Sequence, residues 1–148
     1  MNKNYENLKV AFQGESMANR RYLFYARMAR EKGLNEVAAV FEKTAQAETG
    51  HAFSLLMHLG VDPVTDIEIN DIADALRAAI YGETYEWTQM YPGFAKVARE
   101  EGFHETAQLF ETLAKIERFH AGRFNEALEK YLKSKGEKTE VEDEELIK

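Results

Sequence analysis

The sequence predicts an all-α fold: a four-helix bundle built from two repeated helical hairpins. Three observations carry that prediction. Apolar residues recur at alternating steps of three and four along four long stretches, the spacing of a helix face turned to a core. Only two prolines interrupt 148 residues rich in alanine, glutamate, leucine, lysine and arginine, all good helix formers apart from the prolines. The second half also repeats the first. Gly14-Glu15 matches Gly82-Glu83, Ala29-Arg30-Glu31-Lys32-Gly33 matches Ala98-Arg99-Glu100-Glu101-Gly102, and Phe41-Glu42-Lys43-Thr44-Ala45 matches Phe110-Glu111-Thr112-Leu113-Ala114. The offset is 68 at the first match and 69 at the others, so the second half carries one extra residue, placed near Pro92.

The first helix is expected from about Asn4 to Glu31, with the stripe Leu8, Ala11/Phe12, Glu15, Ala18, Tyr22, Ala26, Ala29. Lys32-Gly33 stops it through a C-terminal glycine. The second starts near Asn35, a good N-cap residue, and ends at Gly60; its stripe is Leu34, Ala38, Phe41, Ala45, Glu48, Ala52, Leu55, Leu59. The short connection between them makes an antiparallel hairpin. Val61 to Asn70 is the one sizeable connection, marked by Asp62-Pro63. The third helix begins at Asn70 or Asp71 and ends at Glu101-Gly102, with the stripe Ile72, Leu76, Ala79, Glu83, Glu86, Met90, Phe94, Val97. Pro92 is expected to kink it or open a local bulge. The fourth runs from about Phe103 to Lys133 on the stripe Phe103, Ala107, Phe110, Ala114, Glu117, Ala121, Phe124, Leu128, Tyr131. Residues 1–133 therefore read as the folded domain. Residues 134–148 read as a charged C-terminal tail, frayed or disordered, because they lack periodicity.

Composition narrows the function. No apolar run approaches the ~20 residues that span a bilayer, and the amino-terminal stretch lacks the apolar segment of a secretion signal, so the expected location is the cytoplasm. Net charge is −7, and residues 137–148 supply −4 of it through six acids and two lysines. With no basic patch, nucleic acid is not an expected partner. The absence of cysteine excludes thiolate catalysis, iron–sulfur clusters and cysteine-ligated metals within these residues.

The chemistry lies in a motif that occurs twice. Glu48-Thr49-Gly50-His51 and Glu117-Arg118-Phe119-His120 are both Glu-x-x-His, which puts a carboxylate and an imidazole on one helix face. Each is preceded by a helix with a glutamate in its stripe, Glu15 and Glu83 respectively. This is the ligand constellation of ferritin-like di-iron and di-manganese bundles. Glu15, Glu48, Glu83 and Glu117 all lie near the midpoints of their helices, so antiparallel packing brings them to one level together with Glu86, His51 and His120. A mid-helix glutamate is usually a solvated surface residue; five carboxylates in core stripes are a different matter. Burying even one unpaired carboxylate costs several kcal/mol, and no lysine or arginine shares these stripes. Two divalent cations bring four positive charges and two trivalent ones six, which brackets the five negative charges. Oxygen and nitrogen ligands suit iron or manganese, with zinc a substitute. His58 pairs with no acid of this set and His104 opens a helix, so both are set aside as structural or exposed. Trp87, the phenylalanines and the methionines are expected in the core.

Around Gly14-Glu15-Ser16-Met17-Ala18-Asn19-Arg20-Arg21-Tyr22 and Gly82-Glu83-Thr84-Tyr85-Glu86-Trp87-Thr88-Gln89-Met90-Tyr91-Pro92 the chain resembles the rubrerythrins, over roughly Glu6 to Lys133. It looks most like the short members called sulerythrins, which lack a rubredoxin module. The resemblance implies the metal ligands Glu15, Glu48, His51, Glu83, Glu86, Glu117 and His120, and two iron ions per site. It implies that one iron moves between the His51-type and Glu86-type ligands with redox state; Glu86 has Ala18 as its counterpart in the first half. Tyr22 and Tyr91 match the family's tyrosines that hydrogen-bond ligand carboxylates, and with Glu86 they are the candidate catalytic side chains. The implied activity is reduction of hydrogen peroxide to water in oxidative-stress defence. Full-length members carry a four-cysteine rubredoxin domain, and this sequence has no cysteine, so an external electron donor such as rubredoxin is expected. The alternative is a ferritin-like iron-binding or ferroxidase protein without peroxidase turnover.

The second helix spans about 39 Å at about 1.5 Å per residue. Ten extended residues reach at most about 36 Å, barely enough to restart a hairpin from the far end. A homodimer in which one chain's first hairpin packs on its partner's second removes that strain, and the resemblance to sulerythrin points the same way.

Overall fold

The computed structural model describes the backbone of residues 2–146 and the side chains of residues 2–136. Among these residues the architecture is all-α, as expected. Its elements are α1 (Lys3–Glu31), α2 (Asn35–Leu59), α3 (Ile72–Tyr85), a π-helical segment (Glu86–Met90), α4 (Tyr91–Glu100) and α5 (His104–Leu146). The chain divides between Pro63 and Val64 into two compact units. In the first, α1 packs along α2; in the second, α3, the π segment and α4 pack along α5. Each unit is one hairpin of the repeat.

In the first hairpin, the Asn2 side chain caps α1 by accepting the Tyr5 N–H. Gly33, at φ +74°, reverses the chain after α1. There the Gly33 N–H donates to the Arg30 carbonyl at 2.9 Å and the Leu34 N–H to the Ala29 carbonyl at 2.9 Å. These bonds satisfy the end of α1 and carry the chain straight into α2. As a result Asn35, expected as the N-cap, is the first helical residue; Leu34 takes the cap position with no side-chain bond. Across the turn the Arg30 guanidinium grips both oxygens of Glu42, at 2.8 and 2.6 Å. The second hairpin repeats this turn. Gly102 has φ +84°, the Phe103 N–H donates to the Ala98 carbonyl at 2.8 Å, and Arg99 Nε donates to Glu111 at 3.1 Å.

The second hairpin opens on a capping box. The Asp71 side chain accepts the Asp74 N–H, and the Asp74 side chain accepts the Asp71 N–H. The expected bulge is the π segment, where the Tyr91 N–H reaches back five residues to the Glu86 carbonyl. One residue is thereby inserted into an otherwise α-helical run. Pro92 explains its location. A proline has no N–H for the carbonyl four residues back, that of Thr88, and its ring crowds that carbonyl, so the α-ladder is already interrupted there.

The inserted residue also corrects the expected stripe. Counting threes and fours through an unbroken helix leads from Met90 to Phe94 and Val97, but these are about half exposed while Ala95 and Ala98 are buried. One extra residue rotates α4 by about 100° around the helix axis, so the buried face continues on Ala95 and Ala98. They sit 69 residues after Ala26 and Ala29, the buried pair of α1.

The buried core consists of alanines and one leucine: Ala26, Ala29, Ala38, Ala45, Ala52 and Leu59 in the first hairpin, and Ala73, Ala78, Ala95, Ala98, Ala107 and Ala121 in the second. Small residues let the helices of a pair approach closely. Large side chains do not share this burial, contrary to expectation for the phenylalanines and methionines. Met17, Phe24, Phe53, Phe103 and Phe119 are each about 60% exposed and Met57 is 83% exposed. A hairpin has only one helix–helix seam, and the side chains beside that seam have no third helix to cover them. Helix α5 runs past Lys133, its expected end, to Leu146, and Lys135 Nζ meets the Asp71 carboxylate at 3.3 Å. For the expected tail, 134–148, the side chains after 136 and all of residues 147–148 lie outside the described residues.

Candidate metal centre

Each hairpin assembles one half of the expected ligand set. Glu15 on α1 faces Glu48 and His51 on α2; Glu83 on α3 faces Glu117 and His120 on α5. Within each trio the ligand atoms lie within 4.8 Å of one another. Oxygen and nitrogen ligands about 2.1 Å from a shared ion are up to about 4 Å apart, so a small closure brings either trio onto a cation. The Glu-x-x-His spacing acts as expected. His51 Nδ1 stands 3.0 Å from Glu48 Oε2 and 3.7 Å from Glu15 Oε2. His120 Nδ1 stands 2.7 Å from Glu117 Oε2 and 3.5 Å from Glu83 Oε2.

The carboxylates are shielded and their charges collide. Glu48 and Glu117 keep only 15% and 13% of their side-chain surface exposed. In the first trio a proton shared with Glu48 raises the Glu15 pKa, and the same bond, together with His51, lowers that of Glu48. The His51 pKa is raised, mainly by its bond to Glu48. In the second trio burial comes first. It pushes the Glu83 carboxyl up to about 7, and the neighbouring Glu117 and Glu86 carboxylates add to the rise. Protonated, Glu83 shares its proton with Glu117; ionised, its Oε2 is shut off from solvent and receives no hydrogen bond. A buried lone pair without a donor, surrounded by carboxylates and an imidazole, is what a cation would satisfy. The donor set therefore fits a metal held by oxygen and nitrogen.

Glu86 does not join the second trio but lies beside it at the start of the π segment. Burial raises its pKa, and the Glu117 charge raises it further. The first hairpin offers Ala18 at this place, so the two halves differ by one carboxylate and one inserted residue, in the same turn. Tyr22 and Tyr91 occupy matching positions. Tyr22 packs on Phe41 and Tyr91 on Phe110, each with ring centroids 6.0 Å apart. Neither phenol donates to a ligand carboxylate among the described residues. The Tyr91 pKa is raised, first by burial and then by the Glu86, Glu117 and Glu83 charges. His58 bonds the Ser54 carbonyl of its own helix at 2.8 Å and His104 is exposed, so both stand apart from the site.

Two residues at the site carry no signal in the sequence. Arg123, one turn beyond His120, lines a cavity of about 530 Å³ with Glu83, His120, Phe124 and Ala127; an arginine after a ligand histidine is unremarkable by itself. Asn19, one turn beyond Glu15, bonds α2 beside Glu48. Its counterparts in the second half are not asparagine, so comparison of the repeats passes over it.

Comparison with known proteins shows the family. The Rubrerythrin family profile matches residues 6–128. A rubrerythrin from Porphyromonas gingivalis is 41% identical over 128 residues, covering 82% of this chain and 64% of its own length. Rubrerythrin-1 from Clostridium acetobutylicum is 39% identical, covering 99% of this chain and 80% of its own. Symerythrin from Cyanophora paradoxa is 32% identical, covering 75% and 74%. A solved mixed-valence nigerythrin superposes with a TM-score of 0.42 at 32% identity, covering 87% of this chain and 67% of its own. The chain thus spans somewhat less than two thirds of the Porphyromonas gingivalis protein and matches the family's profile over most of its own length. Two Glu-x-x-His trios on a duplicated hairpin, read with that match, place the chain in the rubrerythrin family.

Proposed function

We propose that this protein is a non-haem di-iron peroxidase that reduces hydrogen peroxide to water with electrons from a separate redox protein. The observation that carries the proposal is the pair of trios, Glu15/Glu48/His51 and Glu83/Glu117/His120, with Glu86 added on one side only. These residues would hold two iron ions, which would supply the two electrons for cleavage of the O–O bond, with manganese or zinc as substitutes at the same ligands. The balance is one peroxide, two electrons and two protons giving two waters. Burial first, and then the nearby carboxylates, keep Tyr91 protonated, so its phenol Oη–H remains a donor; Tyr22 is its counterpart on the first hairpin. The one-sided Glu86 would offer one ion a further carboxylate in exchange for His51, and a ligand gained or lost with oxidation state favours redox cycling over storage.

These 148 residues contain no cysteine, so no thiolate-ligated redox centre lies within them and electrons arrive from outside, rubredoxin being the expected type of donor. Many large apolar side chains of both hairpins stay exposed. We take the working unit to be a homodimer in which each site draws one trio from either chain. Stopped-flow oxidation of the diferrous protein tests the activity: oxidation by peroxide at least tenfold faster than by oxygen at equal concentration is expected. The reverse order removes the peroxidase and leaves the iron-binding, ferroxidase reading.

A further inference from the structure

Asn19 ties the two helices of the first hairpin together at the level of its ligands. Its amide Nδ2 donates to the Ala45 carbonyl at 2.7 Å and to Thr49 Oγ1 at 3.0 Å. The acceptors bracket Glu48, one three residues before it and the other one residue after it. Asn19 itself lies one helical turn beyond Glu15, on the same face of α1. A sliding of α1 along α2 that moved Glu15 away from Glu48 and His51 would break both bonds. The bonds are partly buried, which limits competition from water.

Among the described residues the second hairpin has no such tie. Its counterparts of Asn19 are Trp87 and Thr88, according to where the inserted residue is counted, and its counterparts of Ala45 and Thr49 are Ala114 and Arg118. Thr88 spends its hydroxyl on the Thr84 carbonyl of its own helix at 2.6 Å. The Arg118 guanidinium lies over the Trp87 ring, 5.3 Å from its centroid. A directed pair of hydrogen bonds across the seam is thus replaced by a stack that tolerates sliding, in the same turns that hold the π segment and Glu86.

We infer that Asn19 is a positioning residue that fixes the register of Glu15 against Glu48 and His51, making the first hairpin the rigid half of the metal site and the second the adjustable half. This rests on the metal-binding reading above and is tested without turnover. Metal-free full-length protein is titrated with Co(II), and the visible ligand-field bands are followed. The wild type is expected to bind two ions per chain, one of them lost in His51→Ala. In Asn19→Leu, which keeps the bulk and removes the donor, the ion identified by His51→Ala is expected to bind about tenfold more weakly with altered bands, the lower end for loss of a group that orients metal ligands. The other ion keeps its affinity, and Thr49→Ser, which retains the hydroxyl, behaves as wild type. If Asn19→Leu retains wild-type helical content and binds both ions with unchanged affinity and bands, the role is overturned. Should that variant fail to fold, Thr49→Val removes one bond of the two; weaker binding of the same ion supports the role, and unchanged binding overturns it. A wild type that takes up no Co(II) instead overturns the metal reading itself, and this inference falls with it.

Discussion

A carboxyl group shut in with other carboxylates favours its proton, and Glu83 shows the consequence. Its pKa stands at about 7 against an ordinary 4.5, so the metal-free fold holds a proton that the unfolded chain has released between those values. Its contribution to stability is fully present below about 4.5 and is lost as pH rises through about 7. Metal-free Glu83→Gln is therefore expected to equal the wild type near pH 5 and to exceed it at pH 8, read as the difference in urea midpoints; a difference independent of pH would count against the shift. Metal reverses the order. An ion replaces the proton, so uptake strengthens with rising pH, and a site filled at 100 times its Kd adds about 2.7 kcal/mol to stability. Metal-loaded wild type at pH 8 is expected to melt well above both the metal-free protein and Glu83→Gln, by calorimetry. At this scale the candidate trios are legible in the sequence because a Glu-x-x-His spacing sets a carboxylate and an imidazole side by side on a helix. Asn19 is not, because an asparagine on a helix face is ordinary until the opposing carbonyl is known.

The elements are legible where a local rule dictates them and obscured where two rules meet. Gly33 and Gly102 end helices as expected, since both need φ near +80°, which glycine alone adopts freely. The change of repeat offset from 68 to 69, together with Pro92, locates the π segment from the sequence alone. The same insertion breaks the count of threes and fours, which is why the stripe lands on Phe94 and Val97 where Ala95 and Ala98 belong. The repeat offers a direct test, because the first hairpin performs the same packing without the extra residue. Deleting Thr88 together with Pro92→Leu, which supplies the counterpart of Leu23 in the first hairpin, should restore an α-helix through this region, since Tyr91, Ala95 and Ala98 then regain the spacing from Glu83 that Tyr22, Ala26 and Ala29 have from Glu15. Helical content by circular dichroism is expected to hold and the melting temperature not to fall, while peroxide oxidation of the diferrous protein slows at least tenfold through displacement of Glu86. A deletion that unfolds the chain would show that the insertion is needed for packing. The seam itself is sensitive to size. Ala38 is fully buried, and Ala38→Leu is expected to cost about 1–3 kcal/mol through overpacking. Arg30→Ala removes an ion pair whose side chains are nearly half exposed and should cost less than about 1 kcal/mol; urea denaturation of both variants compares the two.

For the whole molecule, burial is the quantity that sequence periodicity does not fix. Periodicity marks which residues share a face, but not how many neighbours cover it. The phenylalanines and methionines are expected inside, yet among the described residues only alanines and Leu59 are buried. Exposed side chains of this size have a strong reason to find a second surface, and under the proposed function the twin trios need one as well. An exchanged homodimer meets both demands and makes a sharp genetic prediction. One variant carries Glu48→Gln and His51→Ala, which disables its first hairpin; the other carries Glu117→Gln and His120→Ala, which disables its second. Each alone builds only sites with one dead half. Co-expressed as a heterodimer with exchange, the intact first hairpin of one chain meets the intact second hairpin of the other, and the two dead halves meet each other. One complete site per dimer is then expected, with peroxide-driven oxidation rising to about half the wild-type level in heterodimer purified through two different affinity tags. Without exchange, each chain keeps its own dead half and the heterodimer stays as inactive as either parent.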